Sequence, residues 1–414
     1  MMGKALVSGL LNVCAFAAVL GVSQPMAAAP DASETKQLSA TLDGILESGV
    51  KDHVYPGAAL IVGRPGQRLY EKAVGHLTYE TTSPAVTLHT LWDLASVSKV
   101  AGTATAAMLA IEDGKLKVTA PVSSHIPGFG VNGKEKATVL NLMTHTSGLP
   151  PYVPAASAEK ERRPEQTTSD ALISYYASLK ARSEPGTTIT YSCLNMQTTA
   201  RIVEQVMDKR LEDLLRARVW EPLGMKDSAY LLSQDQLKRT APTLETKGKL
   251  LVGKVHDPLA SYHQSTIHCP GNAGLFSSAD DLARYCEMIA NGGKSPDGKT
   301  ILKPETVSLM TSVQTPADWK SARGLGWDVD RNLPWATPLN NSTDTLVVSH
   351  TGYTGTLIWV DKKTKTYFVY LTNRVFPDDA SKKGPSIAKL RRAVAEAVLK
   401  AQPEYTQVFA NQKP

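Results

Sequence analysis

Cysteine is scarce in this chain. Four cysteines in 414 residues are too few for a disulfide-framed scaffold. Charge of one sign is lacking as well. Lys and Arg number 45 against 39 Asp and Glu, and no Lys/Arg run is longer than two, so the basic stripe of a nucleic-acid binder is excluded. No long apolar run follows Val22, and no internal repeat or low-complexity tract is evident. Gly-x-Ser-x-Gly is absent, which argues against the nucleophile elbow of an α/β-hydrolase. What is present is ordinary globular composition, 42% apolar and 20% charged, which excludes a disordered or collagenous chain. The length accommodates one large enzyme with an insertion, or two to three domains' worth of core.

The first residues form a separate unit. Residues 1–4 carry one positive charge and no acid, residues 5–22 are mostly apolar, and Gln24-Pro25-Met26-Ala27-Ala28-Ala29 is a small-residue exit. That order is a secretory signal peptide over residues 1–29. An uncleaved anchor is the rival reading, but Ser8, Gly9 and Asn12 dilute the apolar segment. The expected location is therefore periplasmic or secreted, with no stable membrane insertion after signal removal. Three cysteines then remain, Cys193, Cys269 and Cys286. They permit one disulfide at most, with Cys193–Cys269 the pair considered.

Periodicity organises the rest. Leu38, Leu42, Ile45, Leu46 and Val50 repeat at helical spacing over residues 34–50. Residues 58–62 and 69–74 read as strands around Gly63-Arg64-Pro65-Gly66. A helix is expected over 96–112, closed by Asp113-Gly114, and further helices over 194–206, 211–220 and 280–291. The Pro-rich, charged stretch 152–165 reads as a surface loop. Residues 345–348, 355–360 and 366–371 are β-rich, and 385–399 has one apolar helical face. The economical arrangement is an α/β (α+β) fold. An antiparallel sheet flanked by the N- and C-terminal helices is assembled from about 34–92 and 300–402. A mainly helical part, about 93–299, is inserted between, and a site is expected at the junction.

Ser96-Val97-Ser98-Lys99 matches Ser-x-x-Lys. The pattern recurs at Ser33, Ser48, Ser157 and Ser386, but only Ser96 opens a long helix of small, apolar residues. A helix start offers unpaired N–H groups and favours negative charge. Residues three apart share a face, so Lys99 lies beside Ser96. A serine hydroxyl needs a base, and Lys99 would have to fall about three units from its usual value to serve at neutral pH, which burial can supply. The rival is a helix cap with a solvated lysine. Two further segments stand out: Thr190-Tyr191-Ser192-Cys193-Leu194-Asn195, and Ser349-His350-Thr351-Gly352-Tyr353-Thr354-Gly355 after an apolar strand.

In that order the three segments resemble the signature of serine β-lactamases and penicillin-binding proteins, Ser-x-x-Lys, Tyr-x-Asn and Lys-Thr-Gly. The context is similar to the class C branch with its DD-carboxypeptidase and esterase relatives. It includes Leu91-Trp92-Asp93-Leu94-Ala95, Leu142-Met143-Thr144-His145-Thr146-Ser147-Gly148-Leu149, Trp220-Glu221-Pro222-Leu223-Gly224-Met225, and the run from Ala273 to Ala283. The likeness spans about residues 40–400. It implies that Ser96 is the acylated nucleophile, that Lys99 and Tyr191 share proton shuttling, and that His350, Thr351 and Gly352 line the substrate. The backbone N–H groups of Ser96 and Tyr353 would form the oxyanion hole. It implies a serine hydrolase domain over 34–402 that cleaves a β-lactam, a D-amino-acid peptide or an ester, on a small or peptidoglycan-derived substrate. Neither cofactor nor metal is implied. A peptide-binding member that has lost turnover is the alternative.

Two positions depart from the pattern. Cys193 stands in place of Asn, and a thiol donates and accepts more weakly than an amide, which puts the orientation of Lys99 and of a substrate amide in question. Asn195 is not counted as a replacement. His350 stands in place of Lys, and neutral imidazole supplies no fixed cation. With an unperturbed value of about 6.5 it would gain charge, and anionic substrates affinity, as pH falls. Other candidates read as structural. His256, Asp257, His263, His268 and Cys269 match no familiar zinc spacing. Gly128 to Gly133 fits Gly-x-Gly-x-x-Gly without a strand before it or a helix directly after. His145 reads as a structural hydrogen-bonding residue.

Overall fold

The structure, a computed structural model, describes residues 32–329, 347–378 and 386–407. The expected signal over residues 1–29 lies outside these residues, as do positions 345, 346 and 385 of the late elements. The chain opens on helix α1, Ala32–Lys51. Strands β1, Gly57–Arg64, and β2, Gln67–Gly75, follow as a hairpin. Its turn needs a positive φ at one position, and Gly66 supplies it at 77°. The late strands are β3, Val347–Thr351, β4, Leu357–Asp361, and β5, Thr366–Thr372. Together they form one five-stranded sheet in the order β2-β1-β5-β4-β3, antiparallel throughout. Pairing of Ala59 with Leu371 and of Ile61 with Val369 joins the two ends of the chain in the middle of the sheet.

Both sheet faces are covered, which is why β1 is buried along its whole length. Alternate side chains sort to opposite faces. Leu60, Val62, Trp359, Phe368 and Tyr370 pack on Leu42 and Leu46 of α1 and on Val394 and Val398 of the closing helix, Ile387–Lys400. Ile61, Ile358, Val360, Val369 and Leu371 belong to the larger core, with Leu282, Cys286 and Ile289 of the helix Ala279–Ala290. This second face is the one turned toward the inserted helices. His350 shares it, because β3 alternates and Val348, two residues earlier, lies in that core.

Three expectations are corrected. Residues 96–112 are not one regular helix. A 3-10 turn spans Ala95–Val97, π-helical turns span Lys99–Ala104, and regular helix begins only at Thr105. The cause lies at Val100. Its carbonyl accepts from the Thr105 hydroxyl at 2.8 Å and from the Tyr285 hydroxyl at 3.2 Å, and side chains inserted into the ladder in this way widen the turn. The stretch 152–165 is not all loop, since Ala155–Lys160 forms a short helix. Cys193, Cys269 and Cys286 are free thiols, so the considered disulfide is not formed. Among the described residues no helix is long and apolar enough to cross a membrane.

Candidate functional site

The Ser96 turn is held from several sides. Ala95 adopts φ 46°, a left-handed conformation that costs a non-glycine residue about 1–3 kcal/mol. Asp93 compensates locally, accepting the Ala95 N–H at 2.9 Å, while its second oxygen accepts the His256 N–H at 2.7 Å. Leu94 donates its N–H to the Leu275 carbonyl at 3.1 Å, and the Ser98 hydroxyl accepts from the Leu275 N–H at 3.1 Å. The strain is therefore spread over a braced loop, and Ser96 is partly exposed at its end.

Lys99 is wholly buried. Its ammonium donates to Ser96 Oγ at 2.9 Å and to the Asn272 carbonyl at 2.7 Å, and lies 3.8 Å from Cys193 Sγ. It also stands 5.0 Å from the centre of the Tyr191 ring. Burial pulls Lys99 toward its neutral form. Attraction to the anionic forms of Cys193 and Tyr191, and to Asp257, outweighs this and holds it above the ordinary lysine value. This corrects the expectation that burial lowers it. Lys99 is an ammonium at neutral pH and donates to Ser96 Oγ.

Tyr191 is positioned through its neighbours. Ser192 donates its N–H to His145 Nδ1 at 3.1 Å and its hydroxyl to the Pro150 carbonyl at 2.6 Å. The Cys193 N–H donates to the Pro151 carbonyl at 2.9 Å, where the helix Cys193–Met207 begins. The His145 ring lies 4.6 Å from the Tyr191 ring, and burial holds His145 neutral, well below its usual value. Asn195 faces His145 and Ser147 rather than Lys99. Its Oδ1 accepts from Ser147 Oγ at 2.5 Å. The contacts to Asn141, Thr146 and Ser147 explain the run from Leu142 to Leu149 as a brace for Tyr191.

His350 lies on the same side, its ring 6.2 Å from that of Tyr191, and it is 1% exposed. Its Nδ1 pairs with the Thr351 carbonyl at 2.8 Å. Burial, against a partly opposing pull from Asp328, brings it down to about 4. The expected charge change near pH 6.5 is therefore corrected, and His350 stays neutral through the ordinary assay range. Gly352 packs directly on the Ser96 turn. A Cβ there would lie 2.0 Å from Thr356 Oγ1 and 2.4 Å from the Leu94 carbonyl oxygen, so only glycine fits. Thr351 is half-buried and Tyr353 is exposed at the end of the strand.

Two groups of this site carried no sequence signal. One is the Asn272 carbonyl, which takes the place an amide side chain would have in orienting Lys99. The other is Arg323. Its guanidinium lies 5.5 Å over the Tyr191 ring and is ion-paired with Asp328. Asp328 bridges Ser349 at the edge of β3, with two backbone bonds of 3.0 Å, so the sheet edge brings Arg323 to the cleft. A lone arginine 132 positions from Tyr191 in sequence (323 minus 191) looks like any of the other basic residues.

The remaining candidates take separate jobs. His263 pairs with Ser169 Oγ at 2.9 Å, His268 with Glu204 at 2.7 Å, and Asp257 caps the helix Pro258–His263. Among the described residues no group of three or more His, Cys, Asp or Glu is placed to hold a metal. The run from Gly128 to Gly133 closes on residues 178–181 through Asn132, and Phe129 packs beneath the Lys134 ammonium at 5.5 Å.

Cys193 gives a separable prediction. If its site holds a substrate amide, Cys193→Asn raises amide or β-lactam turnover about fivefold over ester turnover, the worth of one added hydrogen bond of about 1 kcal/mol. Esters bring no N–H to be held. Paired rates on an ester and its matching amide check this, and equal changes on both would remove the position from substrate contact.

Known proteins show the family of the chain. The family model described as Beta-lactamase matches residues 42–392. An N-acetylmuramyl-L-alanine amidase of Bacillus subtilis (strain 168) is 28% identical over 349 residues, 77% of each chain. A Salmonella schwarzengrund (strain CVM19633) protein assigned as a D-alanyl-D-alanine carboxypeptidase is 27% identical over 365 residues, 80% of this chain and 82% of its own. Among solved structures, EstCE1, a hydrolase with promiscuous acyltransferase activity, superposes with a TM-score of 0.68 at 21% identity, covering 89% of this chain and 100% of that one. A class C β-lactamase gives 0.68 at 20%, covering 88% and 97%. With the family model spanning most of its length, this chain belongs to the β-lactamase family, serine hydrolases of the β-lactamase and penicillin-binding-protein type.

Proposed function

We propose that this chain is an exported serine hydrolase that forms a covalent acyl-enzyme on Ser96 and cleaves an ester or amide. The substrate classes are a carboxylic ester, a D-amino-acid peptide and a β-lactam ring. The observation that carries the reading is the 2.9 Å contact between Lys99 Nζ and Ser96 Oγ where the 3-10 turn meets the buried π-helical turns, with Tyr191 alongside. Residues 1–29 supply export. Amidase and carboxypeptidase relatives support a peptidoglycan-derived substrate.

In the reacting form Lys99 is charged and Tyr191 acts as the general base. Tyr191 takes the proton from Ser96 Oγ as that oxygen bonds to the substrate carbonyl carbon. The Lys99 ammonium, already donating to Oγ, steadies negative charge there. The backbone N–H groups of Ser96 and Tyr353 receive the carbonyl oxygen as it becomes anionic. Tyr191 then returns the proton to the leaving nitrogen or oxygen, and the acyl group stays on Ser96. Water enters by the reverse route, giving a proton to Tyr191 as its oxygen bonds to the acyl carbon, and Tyr191 returns that proton to Ser96 Oγ as the bond to the acyl carbon breaks and the acid departs. Retention of all three contacting groups favours turnover over a purely binding role. The test is a panel of short-chain nitrophenyl esters, nitrocefin and D-Ala-D-Ala peptides. Hydrolysis of at least one, with a burst of one leaving group per chain, supports the reading, and no hydrolysis of any favours the binding protein.

Arg323 is the fixed cation available to a substrate carboxylate in place of the strand lysine. Arg323→Gln is expected to raise KM for an anionic substrate about tenfold, a loss of about 1.4 kcal/mol, and to leave neutral esters within about twofold. In the wild type, KM for the anionic substrate stays flat from pH 8 down to about 5. A group whose value is lowered to about 4 is neutral above it, and His350 adds charge only below. Titration of that KM near pH 6.5, lost in His350→Gln, would return the role to His350.

A further inference from the structure

Oxyanion-hole catalysis needs two N–H groups held at fixed separation before substrate arrives. Here they belong to different parts of the fold. Ser96 lies on the turn leading into the inserted helices, and Tyr353 lies just beyond β3. The backbone ladder of the sheet does not cross this gap. Two side chains do. The Thr354 hydroxyl donates to the Asp93 carbonyl at 2.7 Å, and the Thr356 hydroxyl donates to the Leu94 carbonyl at 2.9 Å. Asp93 and Leu94 are the third and second residues before Ser96. Both threonines are buried, 1% and 0% exposed.

The far side of the same loop is fixed as well. Gly352 donates its N–H to the Thr356 carbonyl at 2.8 Å. Arg391, buried on the closing helix, donates to the Gly352 carbonyl at 2.8 Å and to the Thr356 carbonyl at 2.7 Å. Arg374 donates through Nε to the Tyr353 carbonyl at 2.9 Å and through its N–H to the Thr354 carbonyl at 2.9 Å. The loop of residues 352–356 is thus anchored to the sheet and its closing helix by two arginines and to the nucleophile's turn by two hydroxyls. On the other bank, Asp93 holds the left-handed Ala95.

We propose that Thr354 and Thr356 are positioning residues that set the spacing between the Ser96 and Tyr353 N–H groups. The proposal rests on the acyl-enzyme reading above and adds that this spacing depends on two side-chain hydroxyls. Neither hydroxyl touches substrate. Losing one lets the banks shift relative to each other, and small displacements of catalytic donors cost large factors in rate.

The experiment uses the full exported enzyme with Thr354→Val and Thr356→Val made singly, each beside its Thr→Ser counterpart. Valine keeps the shape and removes the donor, and serine keeps the donor. For each folded variant, kcat and KM on a neutral nitrophenyl ester and the rate of phosphonate addition to Ser96 are measured, with thermal unfolding as the control. The expected result is kcat and phosphonate rate down at least about tenfold in the valine variants, with KM within about twofold and both rates restored to within about threefold by serine. A purely structural role would lower the melting temperature and leave kcat per folded enzyme unchanged, and that result overturns the proposal. If one valine variant does not fold, the other carries the test. If neither folds, Thr354→Cys, with a weaker donor of similar size, must show the same fall in kcat, and a wild-type kcat there overturns the proposal. Wild-type enzyme that takes no phosphonate on Ser96 defeats the acyl-enzyme reading and this proposal together. Labelled wild type with equally fast valine variants defeats this proposal alone.

Discussion

Lys99→Met is expected to lower turnover of every substrate by about 10³-fold, within the range that a positioned proton-handling group contributes, while the protein stays folded. The ammonium is buried against Ser96 Oγ, the Asn272 carbonyl and the Tyr191 ring. Methionine fills the channel of the lysine stem and removes the charge. Methionine leaves the buried Asn272 carbonyl without its donor, at a cost of about 1–3 kcal/mol, so the melting temperature should fall modestly with the fold intact. Ser96 loses the donor that steadies its oxygen, and Tyr191 loses the cation beside it. Arginine does not rescue, because a planar fork cannot follow the path of a four-carbon stem to two partners on different elements. Rates and melting curves for Lys99→Met and Lys99→Arg check this. Activity within about tenfold of wild type in the methionine variant would mean that Lys99 is structural.

Ser96→Ala should have the larger effect, about 10⁴-fold or more on kcat, because it removes the oxygen proposed to carry the acyl group. Stability should change by only about 1 kcal/mol, the worth of one side-chain hydrogen bond, since the Ser96 side chain caps no helix and its contact is to Lys99. Substrate binding should survive, because Arg323, His350 and Thr351 are untouched. The variant is therefore expected to bind a substrate peptide with wild-type affinity and to release no product. Residual turnover above about one part in 10³, with the folded state intact, would require a second nucleophile.

Much of the fold was legible because its signals are local. Residues 57–75 hold two strand-like runs around a turn with glycine where φ is positive, and 347–372 repeats short apolar runs with turn residues between them. Ser96 could be singled out from four other Ser-x-x-Lys matches because one helix-like run follows only there. The parts that escaped depend on contacts distant in sequence. The π-helical turns after Lys99 arise from the Thr105 and Tyr285 hydroxyls acting on one carbonyl, and Tyr285 lies 180 residues from Thr105. The Asn272 carbonyl is backbone, and any residue type could provide it. The depressed value of His350 comes from burial at the helical face of the sheet, and a sequence shows the imidazole without its surroundings. The raised value of Lys99 reverses a burial argument that was correct in sign but omitted the neighbours Cys193 and Tyr191.

The central claim is that Ser96 is the residue acylated. The most direct measurement is mass spectrometry of the intact and digested protein after reaction with a fluorescent active-site phosphonate. The account predicts one adduct per chain, on the peptide containing Ser96, with none in Ser96→Ala. It also predicts much slower labelling in Lys99→Met. An adduct on Ser33, Ser48, Ser157 or Ser386 instead, or undiminished labelling of Ser96→Ala, would contradict it.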